Sequence, residues 1–296
     1  MKGNKENEVS GYLLLNKKSG ITSFGALNEV KKAFSTGKVG HTGTLDKFAT
    51  GLLVVLVGRA VKLATWLSDC DKRYEAVVRF GFETDTLDPE GKSVAEAEIP
   101  SLEELRKALP EFRGDILQAP PEYSAVHIQG ERASDLARQG KIVEMKKRPV
   151  SIYELELLSY NPPDAVISVH CSKGTYIRSL ARDIALKAGS RAHVAELKRT
   201  HIAGFSLDCA SPAEPHYLQP LSADTFEKAG IMSFTVSNET AAQVIHGRPL
   251  AQVTEIMEMT EKKVNQAALF SVEEKFLGVI EKKGNYWQYG YVYAGA

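Results

Sequence analysis

The chain has 296 residues, of which 43% are hydrophobic and 25% are charged, and its formal net charge is +0. This balance is typical of a soluble globular protein with one large and one small domain. It excludes a bilayer-spanning helix, because every apolar run is shorter than the roughly 20 residues that cross a membrane. A neutral chain does not by itself favour a nucleic-acid partner either.

The three cysteines, Cys70, Cys171 and Cys209, are an odd number without close pairing, as expected for reduced thiols. None of them has zinc-ligand spacing to another cysteine or a histidine, so we expect no metal site. The N-terminus contains no apolar segment of the kind that directs secretion. We therefore expect a cytoplasmic protein with a flexible tail over residues 1–9.

Basic residues are concentrated in two stretches of the chain. Residues 127–150 contain six Lys and Arg against three Asp and Glu, and residues 173–199 contain seven against two. Such patches can neutralise the phosphates of a nucleic acid, but most charged runs are only solvated surfaces. Charge alone therefore does not decide the function.

The first half of the chain mixes predicted strands and helices. They are, in order, a strand at 12–15, a helix capped by Thr22 or Ser23, a strand at 52–57, a helix over 60–67 and an alternating strand at 74–80. The run at 52–57 is apolar throughout, which is typical of a strand buried on both faces.

The second half begins with a turn at 88–91 and a helix opened by the capping box of Ser101 and Glu104. Next come an exposed basic excursion over 127–150, a strand at 165–171, a helix whose apolar stripe includes Ile177 and Ile184, and a loop-like stretch at 210–232 with one short helix.

The tail is predicted to be all-β. A strand at 276–280 and a Gly284-Asn285 turn lead into Trp287, Tyr289, Tyr291 and Tyr293 at strict period two, which predicts a hairpin. Their shared face is either the core of a small barrel, which we expect, or a platform on which bases stack.

One loop, residues 40–51, combines a carboxylate with glycines and a histidine. Asp46 is its single carboxylate, His41 lies near its start, and the apolar strand follows directly. A lone ionisable group on a tight loop braced by a core strand is a way to hold a reactive atom still. The alternative is an ordinary polar turn in which Asp46 bonds its own backbone.

This loop resembles the nucleophile motif of the TruB-type pseudouridine synthases, which is Gly-His-(Thr)-Gly-(Thr/Ala)-Leu-Asp-Pro-x-Ala-(Ser/Thr)-Gly before an apolar strand. The resemblance extends strongly over residues 11–205 and weakly over the tail. It implies an α+β fold with a mixed, mainly antiparallel sheet as catalytic domain over 10–232. A small PUA-like, RNA-binding β-barrel is expected over 233–296.

The implied activity is conversion of uridine-55 in the T-loop of tRNA to pseudouridine, without a cofactor. The implied partner is the T-arm of tRNA, with no membrane and no protein partner, for a protein that is a monomer. A guide-RNA-dependent relative and a non-catalytic RNA-binding protein remain alternatives. A small-molecule glycosidase is a weaker one, because no second catalytic carboxylate is placed near Asp46.

The resemblance also assigns roles to individual residues. Asp46 matches the nucleophile, and Arg178 matches the arginine that pairs with it, rather than a residue that packs. Tyr74 resembles the residue that stacks on the target base, and with Asp46 and Arg178 it is expected to be catalytic, through stacking or through proton transfer. The remaining matches are Tyr176 and Leu197 as pocket walls, His41 as a wedge in the T-loop, and Lys146, Lys147 and Arg148 as phosphate contacts.

Two positions depart from the family pattern. Lys-Pro near the first strand is Lys17-Lys18 here, and Asp-Pro of the nucleophile motif is Asp46-Lys47. Because proline fixes φ, its loss after Asp46 is expected to loosen the loop. The Lys47 cation is expected either to help hold Asp46 ionised or to reach an RNA phosphate.

Overall fold

A computed structural model describes residues 9–128, 130–141, 144–250, 253, 256, 264–284 and 286–293. The strands of its large unit are β1 (Gly11–Lys17), β2 (Val39–His41), β3 (Thr50–Val57), β4 (Lys72–Phe80), β5 (Phe82–Thr84), β6 (Ser93–Glu96), β7 (Gly114–Gln118), β8 (His127–Ile128), β9 (Glu131–Arg132), β10 (Arg148–Asn161), β11 (Asp164–Cys171), β12 (Ala192–Ile202) and β13 (Phe205–Ser206). Its α-helices are α1 (Ser23–Ala33), α2 (Ala64–Leu67), α3 (Leu102–Ala108), α4 (Ala133–Arg138), α5 (Ile177–Lys187) and α6 (Ala223–Lys228).

Nine of these strands form one sheet in the order β1-β3-β12-β4-β11-β10-β7, with β2 paired to β3 and β13 paired to β12. Every pair is antiparallel except β3 with β12, which run parallel. The predicted α+β class with a mixed, mainly antiparallel sheet is therefore confirmed.

Strand β3 lies at the centre of the hydrophobic core and is buried on both faces, as its apolar run predicts. Leu53, Val55 and Val57 pack in the cluster that also holds the buried faces of α1, α3 and α5. Leu52, Val54 and Leu56 point to the other face. A strand held from both sides gives the loop that precedes it a rigid support.

A second sheet follows, with the order β14 (Met232–Val236), β15 (Gln266–Ser271), β16 (Phe276–Lys283) and β17 (Tyr286–Val292). Its first pair is parallel and the others are antiparallel. Phe270 and Phe276 share a core with the outer face of β3, and the indole of Trp66 donates to the carboxylate of Glu281. The fold agrees with a PUA-like C-terminal unit packed on the large sheet.

The prediction of an all-β tail is wrong. Helix α7 (Asn238–Ile245) follows β14, and the Ser237 hydroxyl caps it by accepting the Thr240 N–H at 3.2 Å. Only three of its residues are buried, namely Thr240, Ala241 and Val244. Its apolar periodicity is therefore weaker than the aromatic alternation of the last strand, from which the tail was predicted.

The predicted hairpin is confirmed, since β16 ends at Lys283 and β17 begins at Tyr286, although Asn285 lies outside the described residues. Its aromatic residues do not share one face, as their period suggested. Trp287 and Tyr289 pack in one cluster, whereas Tyr291 and Tyr293 pack in another. A register shift between Val279 and Ile280 inserts one extra residue and reverses the faces, so the aromatics serve two cores.

Two other predictions need correction. Residues 58–63 form a 3-10 helix that continues into α2, rather than one α-helix over 60–67. The basic excursion is largely exposed, but it contains the β8–β9 hairpin and α4, and residues 148–150 belong to β10. Strands of two residues and a helix of six are too short to give a periodic signal.

Candidate active site

Residues 42–49 form the loop between β2 and β3, and Asp46 lies on it at the wall of a cleft of about 640 Å³. The side chain of Asp46 is 35% exposed, so one part of the carboxylate faces the cleft and another part is covered. The cleft is also lined by five other predicted site residues, His41, Tyr74, Tyr176, Arg178 and Leu197.

Arg178 covers the buried side of the Asp46 carboxylate. Its Nε lies 2.9 Å from Oδ2, and its Nη2 donates to Oδ1 at 3.1 Å. A guanidinium that approaches both oxygens fixes the plane of a carboxylate as well as its charge. The pair joins the first turn of α5 to a loop 132 residues earlier in the chain.

Arg178 pairs with Asp46 as expected, but the expectation that it does not pack in the protein interior is wrong. Its side chain is only 5% exposed, and it also donates to the carbonyls of Thr86 at 2.7 Å and Tyr123 at 3.1 Å. Its Nη1 contacts the Asp88 carboxylate at 3.3 Å. Arg178 therefore ties three loops together while it holds Asp46.

Asp88 is a site residue that the sequence analysis missed, because it begins what was predicted only as a turn. Its Oδ1 accepts the Thr86 hydroxyl at 2.6 Å and the Glu90 N–H at 3.0 Å. Burial raises the pKa of Asp88, and the Thr86 hydrogen bond and the Arg178 charge oppose that rise. Asp88 is not among the residues that line the cleft, so its contacts support Arg178 rather than face a ligand.

The apolar and aromatic walls come from three elements. Tyr74 lies on β4, Leu197 on the neighbouring strand β12, and Tyr176 directly before α5. The Tyr176 N–H donates to the Gln118 side chain at 2.8 Å. Burial raises the pKa of both phenols, so both are protonated at neutral pH.

His41 ends β2 and is half-buried at the cleft wall. Its Nδ1 accepts the Gly43 N–H at 3.2 Å. Burial, and secondarily the Arg199 charge, lower the pKa of His41, so the ring is neutral at pH 7 and carries its proton on Nε2.

The predicted phosphate contacts Lys146, Lys147 and Arg148 are all exposed, but they are not among the residues that line the cleft. Arg132 and Arg138 of the same excursion line it instead. No sequence signal separates these two groups, because each is a set of basic residues in a polar stretch.

The loop after Asp46 is held without the family proline. Lys17, 1% exposed, donates from Nζ to the carbonyls of Lys18 at 2.9 Å, Ile21 at 2.8 Å and Lys47 at 3.2 Å. The Gly20 N–H donates to the same Lys47 carbonyl at 2.9 Å. These bonds supply the rigidity that the substitution was expected to remove, and burial lowers the pKa of Lys17 to about 8.

The Lys47 side chain turns away from the cleft and pairs with Glu90 at 2.9 Å, with both side chains about half exposed. In this structure Lys47 therefore pairs with Glu90 rather than with Asp46, and its contact with an RNA phosphate stays a prediction. Its ion pair adds a second link between the Asp46 loop and the loop that holds Asp88.

The described residues contain no group of three or more His, Cys, Asp or Glu side chains arranged to hold a metal ion. Within the same part of the chain, no helix is both long and apolar enough to span a membrane.

Comparison with known proteins places the chain in a family. Residues 31–177 match the N-terminal domain of the TruB family pseudouridylate synthases. The tRNA pseudouridine synthase B of Borreliella burgdorferi (strain ZS7) is 47% identical over 231 residues, which are 76% of this chain and 82% of that protein. The protein of the same name from Francisella philomiragia is 47% identical over 213 residues, 71% of this chain and 70% of that protein.

Among solved structures, a chain of the Cbf5-Nop10-Gar1 complex superposes with a TM-score of 0.69 at 23% identity, over 95% of this chain and 84% of that chain. This likeness supports the fold of both units. With the sequence identity to the curated relatives, it leads to one conclusion: the chain belongs to the TruB family of pseudouridylate synthases.

Proposed function

We propose that the protein is a tRNA pseudouridine synthase that isomerises uridine-55 in the T-loop, with Asp46 as its nucleophile. The relatives at 47% identity are named tRNA pseudouridine synthase B, which supports tRNA as the substrate. The observation that carries the proposal is the Asp46 carboxylate, which Arg178 holds through both oxygens and which remains open to the cleft.

The reaction breaks the N-glycosidic bond of a uridine and joins the same ribose carbon to carbon 5 of the ring. A carboxylate can support this step as a nucleophile or as a stabiliser of positive charge on the sugar. Asp46 can do so only if one oxygen of its carboxylate has a fixed orientation towards the bound nucleotide. Its contacts with Arg178, and the contacts of Arg178 with Asp88 and two carbonyls, supply that direction.

The target base must leave its stack, because its reacting atoms are not accessible inside a folded loop. We propose that it enters between Tyr74, Tyr176 and Leu197, which line the cleft beside Asp46. Stacking of a base on an aromatic ring contributes about 1–3 kcal/mol, a part of the cost of extrusion. The same walls would keep the detached uracil in place while it turns.

His41 stands at the wall of the cleft as a neutral ring, and we propose that it takes the place of the extruded base in the T-loop. Lys146, Lys147 and Arg148 are proposed to contact phosphates further along the T-arm, since they are exposed. We divide the chain into a catalytic domain over 10–232 and a PUA-like, RNA-binding domain over 233–296. We also propose a monomer that needs no protein partner and a location in the cytoplasm, the last of which agrees with the free thiols of Cys70, Cys171 and Cys209.

The experiment is an assay on an unmodified tRNA transcript without guide RNA, in which pseudouridine is mapped by position. We expect product at position 55 of the T-loop, and no product in a matched transcript that carries cytidine there. Product only after addition of a guide RNA and partner proteins would favour a guide-dependent enzyme. Tight binding without product would favour a non-catalytic RNA-binding protein.

A further inference from the structure

The largest fully buried side chain of the described residues belongs to Arg199, which none of the proposed catalytic steps uses. It is 1% exposed, yet it lies at the wall of the cleft. Arginine is almost never fully buried without a specific arrangement of acceptors. The buried guanidinium of Arg199 must therefore have specific hydrogen-bond acceptors.

Arg199 lies on β12 at the place where this strand meets both strands that carry the site. It pairs with Gly51 of β3 on one side and with Tyr74 of β4 on the other. The approach to β3 is so close that a Cβ at Gly51 would lie 2.3 Å from the Arg199 carbonyl, and Gly51 has a φ of +110°. Only glycine is readily accommodated there.

The guanidinium of Arg199 holds the Asp46 loop at both of its ends. Nη2 donates to the Gly43 carbonyl at 3.1 Å and Nη1 to the Thr44 carbonyl at 3.3 Å, both shortly before Asp46. Nε donates to the Leu52 carbonyl at 2.9 Å, shortly after the loop. A planar guanidinium can aim three N–H groups in fixed directions, which the single ammonium of lysine cannot do.

The charge of Arg199 also reaches the residues around it. Burial is the main cause of the lowered pKa values of His41 and Lys72, and the Arg199 charge lowers them further. Burial also raises the pKa of Tyr74, and the Arg199 charge opposes that rise. The described hydrogen-bond acceptors of Arg199 are three carbonyls and the Tyr74 side chain, and none of them is a carboxylate, so its positive charge remains effective at the cleft.

We propose that Arg199 is a positioning residue for the isomerisation: its guanidinium sets the Asp46 loop against β4, so that Asp46 and Tyr74 face the same bound base. This inference rests on the proposed function. Arg178 fixes the direction of the carboxylate, whereas Arg199 fixes the backbone that carries it. Loss of Arg199 should therefore slow the reaction of bound tRNA more than it weakens binding.

The test compares Arg199→Met and Arg199→Lys with the wild-type enzyme, using unmodified tRNA transcript and temperatures at which each variant is folded by circular dichroism. We expect kcat per folded molecule to fall about 100-fold in Arg199→Met, with KM within about 3-fold of wild type. Arg199→Lys keeps the charge but not the planar fork, and should recover only part of the rate. If Arg199→Met does not fold, the test is decided by the kcat of folded Arg199→Lys.

Arg113 offers a control away from the site: it is exposed, its guanidinium donates to the Leu155 carbonyl at 2.8 Å, and it is not among the residues that line the cleft. Arg113→Met should change the melting temperature without changing kcat. A wild-type kcat per folded molecule in both Arg199 variants would overturn the proposal and leave Arg199 a purely structural residue. Absence of product from the wild-type enzyme would instead overturn the proposed function.

Discussion

Two groups of basic residues in this protein have the same chemistry and opposite surroundings. Lys17, Arg178 and Arg199 are buried, and each donates to several backbone carbonyls around the Asp46 loop. Lys146, Lys147 and Arg148 are exposed and lie outside the cleft wall. The first group holds the site together, whereas the second is free to meet a ligand.

The difference shows that the number of charges in a stretch does not define their role. Both 127–150 and 173–199 are basic in sequence, and the second contains Arg178 and Arg199, whose guanidinium groups are buried and hydrogen-bonded inside the protein. A buried cation stabilises a fixed geometry at the cost of desolvation, but an exposed one interacts with phosphates through a salt-dependent attraction. Removal of the buried group should therefore lower kcat and stability, whereas removal of the exposed group should weaken the binding of tRNA.

The largest effect is expected from the carboxylate that the buried group positions. Asp46→Asn should reduce kcat on the order of 10⁴-fold or more, because the amide has the same shape but is a poor nucleophile. Its affinity for tRNA should remain near that of the wild type. Single-turnover rates and filter binding on one tRNA transcript measure the two quantities.

Asp164→Asn is the matched control for this change, since Asp164 pairs with Arg79 on the large sheet and is not among the residues of the cleft wall. It should keep the wild-type rate. A wild-type rate in Asp46→Asn would remove Asp46 from its proposed role.

Arg178→Met should damage both activity and stability, unlike the loss of an exposed cation. It removes the clamp on Asp46, for which we expect a fall in kcat of about 100-fold or more. It also leaves Asp88 buried without its cation, at a cost of about 3–5 kcal/mol in the free energy of unfolding. Urea unfolding and single-turnover kinetics on the same preparation measure these effects.

The double variant Arg178→Met/Asp88→Asn separates the two roles. It should regain much of the stability, because no buried charge is left unpaired, but none of the rate. Recovery of both would mean that Arg178 acts on the reaction only through the fold. Arg79→Met, which breaks an exposed ion pair on the same sheet, should cost less than about 1 kcal/mol.

Lys17 allows a test of burial through pH. Its pKa is about 8 in the folded protein and ordinarily 10.5, so between these values the unfolded chain binds one proton more and stability rises with pH. Below pH 8 the full cost of about 3 kcal/mol is present. The difference in free energy of unfolding between wild type and Lys17→Met should therefore shift in favour of the wild type from pH 8 to 10.5.

Urea titrations at several pH values measure this difference. The neighbouring variant Lys18→Met should show no such shift, because Lys18 is exposed. A flat difference for Lys17→Met would mean that the Lys17 ammonium is as well solvated as its neighbour.

The smallest effect is expected from the exposed group. Replacing Lys146, Lys147 and Arg148 together by serine should weaken tRNA binding about 10-fold and leave kcat at saturation unchanged. The slope of log Kd against log salt should fall by roughly 0.7–0.9 for each phosphate that the variant no longer neutralises. Replacement of the exposed Lys32, Arg106 and Lys107 by serine is the control, and an unchanged slope in the first variant would mean that 146–148 touch no phosphate.

The sequence alone was sufficient for several parts of the fold. The apolar run of β3, the caps of α1 and α3 and the alternation of β4 are local signals, and each predicted its element. It was insufficient for α7 and for the faces of the aromatic strand, because a short helix has little periodicity and a single bulge reverses the side-chain alternation.

For the site, the sequence by itself determined which loop carries the carboxylate, because glycines, Asp46 and a buried strand follow one another in one short segment. The family resemblance also named Arg178 as the partner of Asp46, but only the tertiary structure showed that Lys17 and Arg199 hold the loop. Arg199 reaches the Gly43 carbonyl across 156 residues, and Arg178 reaches Asp46 across 132. A charge can be buried only where acceptors surround it, and here those acceptors come from residues that are distant in sequence. A local sequence pattern therefore cannot predict them.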